Sequence, residues 1–352
     1  MLNETASPAP IRYVDLFCGI GGFRVAVQSL SREHTLPVQC VFSSDIDEDC
    51  QEAYAANFGE KPAGDITQVK ENSVPAHDLL MGGFPCQPFS IIGSMKGFDD
   101  TRGTLFFDIA RILKAKRPAV FILENVKLLV GHNRGKTLER ILQTLREDLG
   151  YHAEYRVLNA LDFGLPQKRE RVFIAGFASA EAHARFQWPE GGEPMRPLSE
   201  LLEKKVDRKH YASDHIRSRR LSKLSATHGE PTIWHENKNG HVSAYPFSCA
   251  LRAGASYNYL LVNGERRLTP REMLRLQGFP DDFKIVCKDW QTRKQAGNSV
   301  PVNVVRAVAE RVFAAQGWIR PAPAAPRQGP PRSSYAQAKI TNGRKARASL
   351  SA

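Results

Sequence analysis

The fold is decided by the stretch Asp15-Leu16-Phe17-Cys18-Gly19-Ile20-Gly21-Gly22-Phe23. It joins an apolar run at 13–17, which predicts a short strand, to the helical spacing of 23–30 through a glycine-rich turn. Glycine lets a backbone turn tightly beside a nucleotide-like ligand. The spacing differs from the dinucleotide fingerprint G-x-G-x-x-G, so the turn alone is weak evidence for a ligand.

The same succession of strand and helix continues through the first half of the chain. Further strands are predicted at 40–44, 78–81, 119–123 and 171–177, and further helices at 49–57, 105–114 and 137–149. This alternation predicts an α/β fold with a mostly parallel sheet, whose ligands bind beyond the carboxyl ends of the strands. Gly19, Asp45, Cys86 and Glu124 all fall at such ends, so we expect them to share one site.

The pattern changes after the first half, which predicts three parts. Residues 198–284 lack clean alternation and are interpreted as a smaller domain inserted into a larger one made of 1–197 and 285–318. Helical spacing returns at 301–314. Residues 319–352 are rich in Pro, Ala, Arg and Ser, a composition that predicts a disordered basic tail.

Charge and composition narrow the function classes. The chain of 352 residues has a formal net charge of +12. The tail carries seven Lys and Arg residues and no acid, which leaves +5 on residues 1–318. A mildly basic body suits phosphate binding, although an ordinary solvated surface is an equal alternative. There is no apolar run of the ~20 residues that span a membrane and no signal-peptide pattern, so we expect a cytoplasmic protein. None of the six cysteines forms a Cys-x-x-Cys pair, so no metal site is predicted.

Two carboxylates at successive strand ends indicate an adenosine ligand. Asp45 comes 26 positions after Gly19 and can accept hydrogen bonds from both hydroxyls of a ribose. Asp65, within Gly64-Asp65-Ile66, is suited to an adenine amino group. Either acid alone is more often a turn or cap residue, but the combination favours a nucleoside.

A second group of residues indicates covalent chemistry. Cys86 lies between prolines in Gly83-Phe84-Pro85-Cys86-Gln87-Pro88-Phe89-Ser90, and prolines stiffen the backbone around the thiol. A lone cysteine is usually a small buried hydrophobe, but this one follows a strand. Glu124 follows an apolar strand, where desolvation raises a carboxyl pKa and favours proton transfer. Arg169 and Arg171 can bind phosphate or a carbonyl oxygen, or else form a surface ion-pair cluster with Glu170.

With these motifs the chain resembles the bacterial C5-cytosine DNA methyltransferases of restriction–modification systems, in particular the short enzymes of the HhaI type. The matching stretches occur in the order typical of the family and extend over about 12–315. They are 15–24, 64–66, 83–90, 101–107, 124–126, 167–171, 267–280 and 295–301.

The resemblance implies the fold and the reaction. It implies a Rossmann-like S-adenosylmethionine-dependent methyltransferase sheet, with 198–284 as the target-recognition domain. The enzyme would flip a cytosine out of double-stranded DNA and methylate its C5 carbon. Cys86 would add to C6, Glu124 would bind and protonate N3, and Arg171, helped by Arg169, would hold the base carbonyl. No metal is required.

The resemblance also implies binding residues. Phe17 and Ile46 would sandwich the adenine of S-adenosylmethionine. The implied cofactor contacts are Phe17, Gly19, Gly22, Asp45, Ile46, Asp65, Ile66, Gly83, Pro85, Leu105, Asn298 and Ser299. The implied DNA contacts are Gln87, Ser90 and Arg102 in a loop at 86–104 that closes over the flipped base. In the recognition domain, residue chemistry suits Arg252 to guanine and Asn237 or Asn258 to adenine, with contact to phosphate or solvent as the alternative for each.

Two other functions fit parts of the sequence. One is an RNA cytosine methyltransferase of the same fold, and the other is a catalytically inactive DNA-binding protein. The intact set of Cys86, Glu124 and Arg171 argues against the inactive protein, and Pro85-Cys86-Gln87-Pro88 with a full recognition domain favours DNA. We expect a monomer whose cognate restriction endonuclease is a genetic and not a physical partner.

Overall fold

The computed structural model describes residues 9–85, 105–224 and 229–320. Within these ranges the chain forms eleven strands. They are β1 (Ile11–Leu16), β2 (Val38–Ser44), β3 (Leu79–Gly83), β4 (Val120–Val126), β5 (His152–Asn159), β6 (Gln167–Lys168), β7 (Glu170–Phe177), β8 (Ile233–Glu236), β9 (Val242–Tyr245), β10 (Ser248–Cys249) and β11 (Leu260–Val262).

Helices alternate with these strands in the first half and return at the end of the described chain. They are α1 (Gly22–His34), α2 (Glu48–Phe58), α3 (Leu105–Lys116), α4 (Leu128–Gly131), α5 (Lys136–Gln143), α6 (Ala180–Arg185), α7 (Leu198–Leu201), α8 (Asp214–Leu221), α9 (Pro270–Leu276), α10 (Asp289–Asn298) and α11 (Val302–Gln316). A π-helical turn, Thr144–Asp148, extends α5. Short 3-10 turns lie at Ile66–Gln68, Glu71–Ser73, His132–Gly135, Ala160–Asp162 and Arg208–His210.

A six-stranded sheet with the order β2-β1-β3-β4-β7-β5 forms the centre of the molecule. Strands β1 to β4 are mutually parallel, which confirms the mostly parallel α/β fold. Strand β7 is antiparallel to both of its neighbours, β4 and β5. Because it runs in the opposite direction, β7 begins at the edge where β1 to β4 end. Side chains from the start of β7 therefore meet side chains from the ends of the parallel strands.

The sheet is buried on both faces, as strands between two helical layers must be. Adjacent residues of β1 point to opposite sides: Tyr13 belongs to the core that contains buried residues of α1 and α11, and Val14 to the core that contains those of α3 and α5. The near-continuous apolar runs that predicted these strands follow from this double burial.

Three details differ from the sequence-based expectations. Strand β4 continues to Val126, so Glu124 lies inside the strand and not after it. The helix expected over 137–149 ends as an α-helix at Gln143. Strand β5 was not anticipated, because it is an edge strand with an uneven mixture of exposed charged and buried apolar residues.

A smaller antiparallel sheet with the order β11-β8-β9 lies outside the central sheet. Its own core is centred on the fully buried Trp234, which packs with Leu224 and Ala244. The short strand β10 pairs with β6, immediately before Arg169, and so links this part of the chain to the start of β7. The domain boundaries at 198 and 284 stay a prediction, and the tail beyond Arg320 lies outside the described residues.

The described helices are too short to cross a bilayer. The longest, α11, has 15 residues, whereas a transmembrane helix needs ~20 apolar residues. None of the helices within the described ranges meets the length and hydropathy of a membrane span.

Candidate active site

A large cavity opens where β1 to β4 end and β7 begins. Its volume is about 1710 Å³, which exceeds the ~300–1,000 Å³ of a typical pocket for one small ligand. The lining includes every residue expected to bind the cofactor: Phe17, Gly19, Gly22, Asp45, Ile46, Asp65, Ile66, Gly83, Pro85, Leu105, Asn298 and Ser299. Glu124, Arg169 and Arg171 line the same cavity. The fold thus brings both groups of residues together, with room for more than one ligand.

The glycine-rich turn after β1 shapes one wall. Phe17 and Gly19 both have left-handed backbone conformations, with φ of 54°. Gly22, the first residue of α1, packs closely against the segment after α10: a Cβ atom there would lie 2.6 Å from the Cγ2 atom of Val300. A side chain at this position would push that segment away. The turn therefore requires glycine, and it leaves the start of α1 open towards the cavity.

Asp45 is held rigidly at the end of β2. Its Oδ2 atom accepts a hydrogen bond from the Gly19 N–H at 2.7 Å, and its Oδ1 atom accepts one from the Asp47 N–H at 2.9 Å. Burial raises the pKa of Asp45, although these two N–H groups lower it. A carboxylate oxygen can accept a second hydrogen bond. Asp45 is therefore pre-oriented to receive the hydroxyls of a ribose.

Apolar and polar groups beside Asp45 suit a nucleoside base. Ile46 is 71% exposed, and Phe17 is half-buried in the same cavity. Asp65 lines the same cavity, and its Oδ1 atom accepts the Thr67 N–H at 2.9 Å. The donor set therefore fits an adenosine group with a flat ring between Phe17 and Ile46.

An ion pair in the cavity wall joins Glu124 to Arg171. The Glu124 Oε1 and Arg171 Nε atoms are 2.9 Å apart, and the two side chains are 10% and 14% exposed. Strand pairing explains the contact, because Phe173 is opposite Glu124 and Arg171 is its diagonal neighbour on the same face. Burial raises the pKa of Glu124, as expected from the sequence, while Arg171 and Arg169 lower it. This carboxyl group is suited to holding a proton.

Arg169 has a different position from Arg171. It is buried, and its guanidinium donates to the carbonyl oxygens of Leu251 at 2.9 Å, Gly297 at 3.0 Å and Ser299. It therefore ties the start of β7 to two distant segments, whereas the sequence had grouped it with the catalytic side chains. The alternative of a surface cluster with Glu170 is wrong, because Glu170 pairs with Lys127 instead.

Asn125 is a site residue whose role the sequence did not reveal. Its buried Nδ2 atom donates to the Phe84 carbonyl oxygen at 2.8 Å. This bond anchors the chain one residue before Pro85, which lines the cavity. A polar residue directly after Glu124 was the available signal. Cys86, Gln87, Ser90 and Arg102 lie outside the described residues.

Gln167 was likewise quoted in a motif without a role. It is fully buried, donates to the Leu276 carbonyl oxygen at 2.8 Å and accepts the Leu251 N–H at 3.0 Å. Gln167 and Arg169 therefore both hold the segment at Leu251.

The two DNA-contact candidates of the smaller sheet lie away from the cavity lining. Arg252 is exposed, and its guanidinium lies 4.9 Å from the centre of the Tyr259 ring. The Asn258 Oδ1 atom is buried and has no hydrogen-bond partner among the described residues. Arg252 is therefore available to a ligand, whereas the Asn258 oxygen is turned away from solvent.

This fold and cavity define an enzyme that uses a nucleoside cofactor. A family model described as C-5 cytosine-specific DNA methylase matches residues 11–314. Type II methyltransferase M.NgoBI of Neisseria gonorrhoeae is 54% identical over 296 residues, which are 84% of this chain and 90% of that protein. Type II methyltransferase M.HhaI of Haemophilus parahaemolyticus is 41% identical over 319 residues, 86% and 94% of the two chains. Among solved structures, a triple mutant of DNMT2 from Spodoptera frugiperda superposes with a TM-score of 0.65 at 19% identity, covering 86% of this chain and 99% of that one.

The chain therefore belongs to the C-5 cytosine-specific DNA methylase family. It is a DNA (cytosine-5)-methyltransferase, and its methyl donor is S-adenosylmethionine. The resemblance found in the sequence is thereby confirmed, including the relationship to the HhaI enzyme. The likeness to the DNMT2 structure shows the shared Rossmann-like methyltransferase fold.

Proposed function

We propose that Cys86 adds to C6 of a cytosine flipped out of duplex DNA, while Glu124 and Arg171 hold that base in the cavity. The observation that carries this proposal is the Glu124–Arg171 pair, 2.9 Å apart and nearly buried, which lines the cavity together with Asp45 and Gly19. Carbon C5 of cytosine cannot be reached inside a duplex, so the base must leave the stack.

The Cys86 thiolate forms a bond to C6, and Glu124 gives a proton to N3, so negative charge does not accumulate on the ring. Arg171 donates to the base carbonyl oxygen. When bound, S-adenosylmethionine supplies a sulfonium methyl group; C5 bonds to this carbon as the sulfur–methyl bond breaks, which leaves S-adenosylhomocysteine. N3 then returns its proton to Glu124, and a base removes the C5 proton. The electrons of that C–H bond form the C5–C6 double bond, expel the Cys86 thiolate and restore the aromatic ring.

The remaining cysteines support Cys86 as the nucleophile. A thiolate is the reactive form, and burial raises the pKa of each described cysteine, that of Cys40 to about 12. The cysteines with raised pKa are Cys18, Cys40, Cys50, Cys249 and Cys287. Cys18 and Cys50 line the cavity, but their raised pKa keeps them in the protonated, unreactive thiol form.

Cofactor residues act mainly by orientation. Asp45 would accept the ribose hydroxyls, Asp65 the adenine amino group, and Phe17 and Ile46 would enclose the ring. Arg169 acts as a positioning residue, because its guanidinium holds the carbonyls of Gly297 and Ser299 in the cavity wall. The other cofactor contacts predicted from the sequence line the same cavity, and we propose that they bind the cofactor as well.

We propose that two different parts of the chain contact DNA, one around the flipped base and the other at the target sequence. Gln87, Ser90 and Arg102 would contact DNA around the flipped base, and residues 198–284 would read the target sequence with Arg252. Asn258 would contribute only after its amide turns outward, because its Oδ1 atom is buried. The relatives named as type II methyltransferases favour a role in protecting DNA from a cognate restriction endonuclease. We further propose that the enzyme acts as a monomer in the bacterial cytoplasm and that the endonuclease is a genetic partner only.

A suicide substrate tests the proposed nucleophile. Duplex DNA with 5-fluorocytosine at the methylated position, incubated with S-adenosylmethionine, should become covalently linked to Cys86, because fluorine cannot leave as the C5 proton does. Peptide mass spectrometry would locate the adduct. The control is Cys86→Ser, which should bind the same duplex without methylating it. Absence of any adduct, or methylation by Cys86→Ser at the normal rate, would contradict the proposal. Methylation of transfer RNA but not of duplex DNA would contradict its choice of substrate.

A further inference from the structure

The loop at 252–258 joins β10 to β11 and carries the DNA-contact candidates Arg252 and Asn258. Arg252 and Tyr257 are exposed on it, the latter by 48%. A large aromatic side chain that is half in solvent and flanked by arginines is typical of binding surfaces. The loop contains no regular secondary structure, so contacts from other segments must determine its shape.

Arg293, on α10, makes the most extensive of these contacts. Its Nη2 atom donates to the carbonyl oxygens of Ser256 at 2.9 Å and of Ala255. The same guanidinium lies 4.7 Å from the ring centre of Tyr257 and 5.8 Å from that of Tyr259. Backbone hydrogen bonds and cation–π contacts from one group fix both the path of the loop and the direction of its exposed ring.

Helix α10 is itself anchored at the cofactor cavity. Its last turn carries Gly297 and Asn298, which line the cavity. Gly297 packs against the backbone of the loop at Ala253, so closely that a Cβ atom there would overlap it. The helix therefore reaches the 252–258 loop at two points while it forms part of the cofactor wall.

The far end of the loop is held from within the smaller sheet. Arg220 is 2% exposed; it donates to the Asn258 carbonyl oxygen and pairs with the Glu236 Oε2 atom at 3.0 Å. The loop is thus fixed by Arg293 in its middle and by Arg220 at its end. The hydrogen bonds from both arginines are made to backbone oxygens, so they fix the path of the loop.

We propose that Arg293 is a positioning residue for target specificity: it holds the 252–258 loop, and Tyr257 in particular, in the shape that reads the DNA sequence. This inference rests on the proposed recognition role of 198–284. Arg293 itself is half-buried beneath the loop, so it acts through the loop and not through the methyl-transfer chemistry. Lysine is a poor replacement, because an ammonium can donate to both carbonyls but lacks the flat guanidinium that lies against the tyrosine rings at the same time.

The test compares methylation profiles. Wild type, Arg293→Ala and Arg293→Lys are incubated with a plasmid library and S-adenosylmethionine, and methylated cytosines are mapped by bisulfite sequencing. Both variants should raise methylation at sites with one mismatched base pair, relative to the cognate site, at least tenfold, with the KM for the cofactor within twofold of wild type. The matched control is Arg306→Ala on α11, which removes an arginine paired with Glu33 and should leave the profile unchanged.

Tyr257 provides an independent arm if Arg293→Ala does not fold. Tyr257→Ala removes the ring and should relax the profile, whereas Tyr257→Phe retains the ring and should preserve it. An unchanged profile in Arg293→Lys and Tyr257→Ala, even with lowered activity, would overturn the proposal, because it would mean a purely structural role. A wild-type enzyme that methylates many unrelated sequences equally would overturn the recognition role of 198–284 on which the proposal rests.

Discussion

Replacing Asp15 by asparagine should change how the stability of this protein depends on pH. Asp15 is fully buried in β1, and neither of its carboxylate oxygens has a hydrogen-bond partner among the described residues. The nearby Arg24 Nε atom is also buried without a partner there. Burial raises the pKa of Asp15 to about 8, with Asp45 adding to the increase and Arg24 opposing it.

The direction of this pH dependence follows from the coupling between proton binding and folding. The ordinary value for Asp15 is 3.8, so the unfolded chain releases this proton at lower pH than the folded protein does. Stability from this group is therefore fully present below about pH 4 and is lost as pH rises through about 8. At about 1.4 kcal/mol per pH unit, the free energy of unfolding falls by about 4 kcal/mol at most between pH 5 and pH 8.

Urea unfolding of wild type and Asp15→Asn at pH 5, 6.5 and 8 measures this difference. The free energy of unfolding of the variant should rise relative to wild type by at least about 1 kcal/mol, and by up to about 4 kcal/mol, between pH 5 and pH 8. Glu139→Gln, on the exposed side of α5, is the control and should show no such trend. A wild-type minus Asp15→Asn difference that stays constant over this range would refute the buried, proton-bearing state of Asp15.

Three further outcomes follow from the active-site wall. Glu124→Gln should lower kcat for methylation by about 10²–10⁴-fold, because the amide cannot transfer a proton, while cofactor binding measured by calorimetry stays near wild type. Since burial raises the Glu124 pKa, the wild-type rate should fall as pH rises through that pKa. A rate that keeps increasing with pH would contradict this role. Arg169→Ala leaves three carbonyl oxygens without their donor and should lower the free energy of unfolding by about 3 kcal/mol or more. Urea titration would measure this loss. A loss below about 1 kcal/mol would mean that water replaces the guanidinium. Gly297→Ala forces the backbone at Ala253 to move, so it should lower the free energy of unfolding by about 1–3 kcal/mol and reduce methylation as well. Unchanged activity and stability would show that the segments at Gly297 and Ala253 separate easily.

The sequence by itself determined the fold class and most of the chemistry. Alternating apolar runs and helical spacing are local patterns, so β1 to β4, β7 and the helices between them could be recognised without coordinates. The turn at Gly19 and the carboxylate of Asp45 were assigned to one ligand because parallel strands bring their carboxyl ends to one edge. The family resemblance extended this assignment to twelve residues, and all twelve line one cavity.

Tertiary structure alone decided how those residues divide their work. Arg169 and Arg171 are two positions apart in sequence, yet one bonds carbonyls from two distant segments and the other pairs with Glu124. The difference arises from the antiparallel entry of β7 and from the path of the chain at Leu251 and Gly297. The same holds for Arg293, whose neighbours Ala255 and Tyr257 are close only in space. Sequence patterns report local backbone preference and burial, whereas pairings between distant segments are set by how the finished sheet and loops pack.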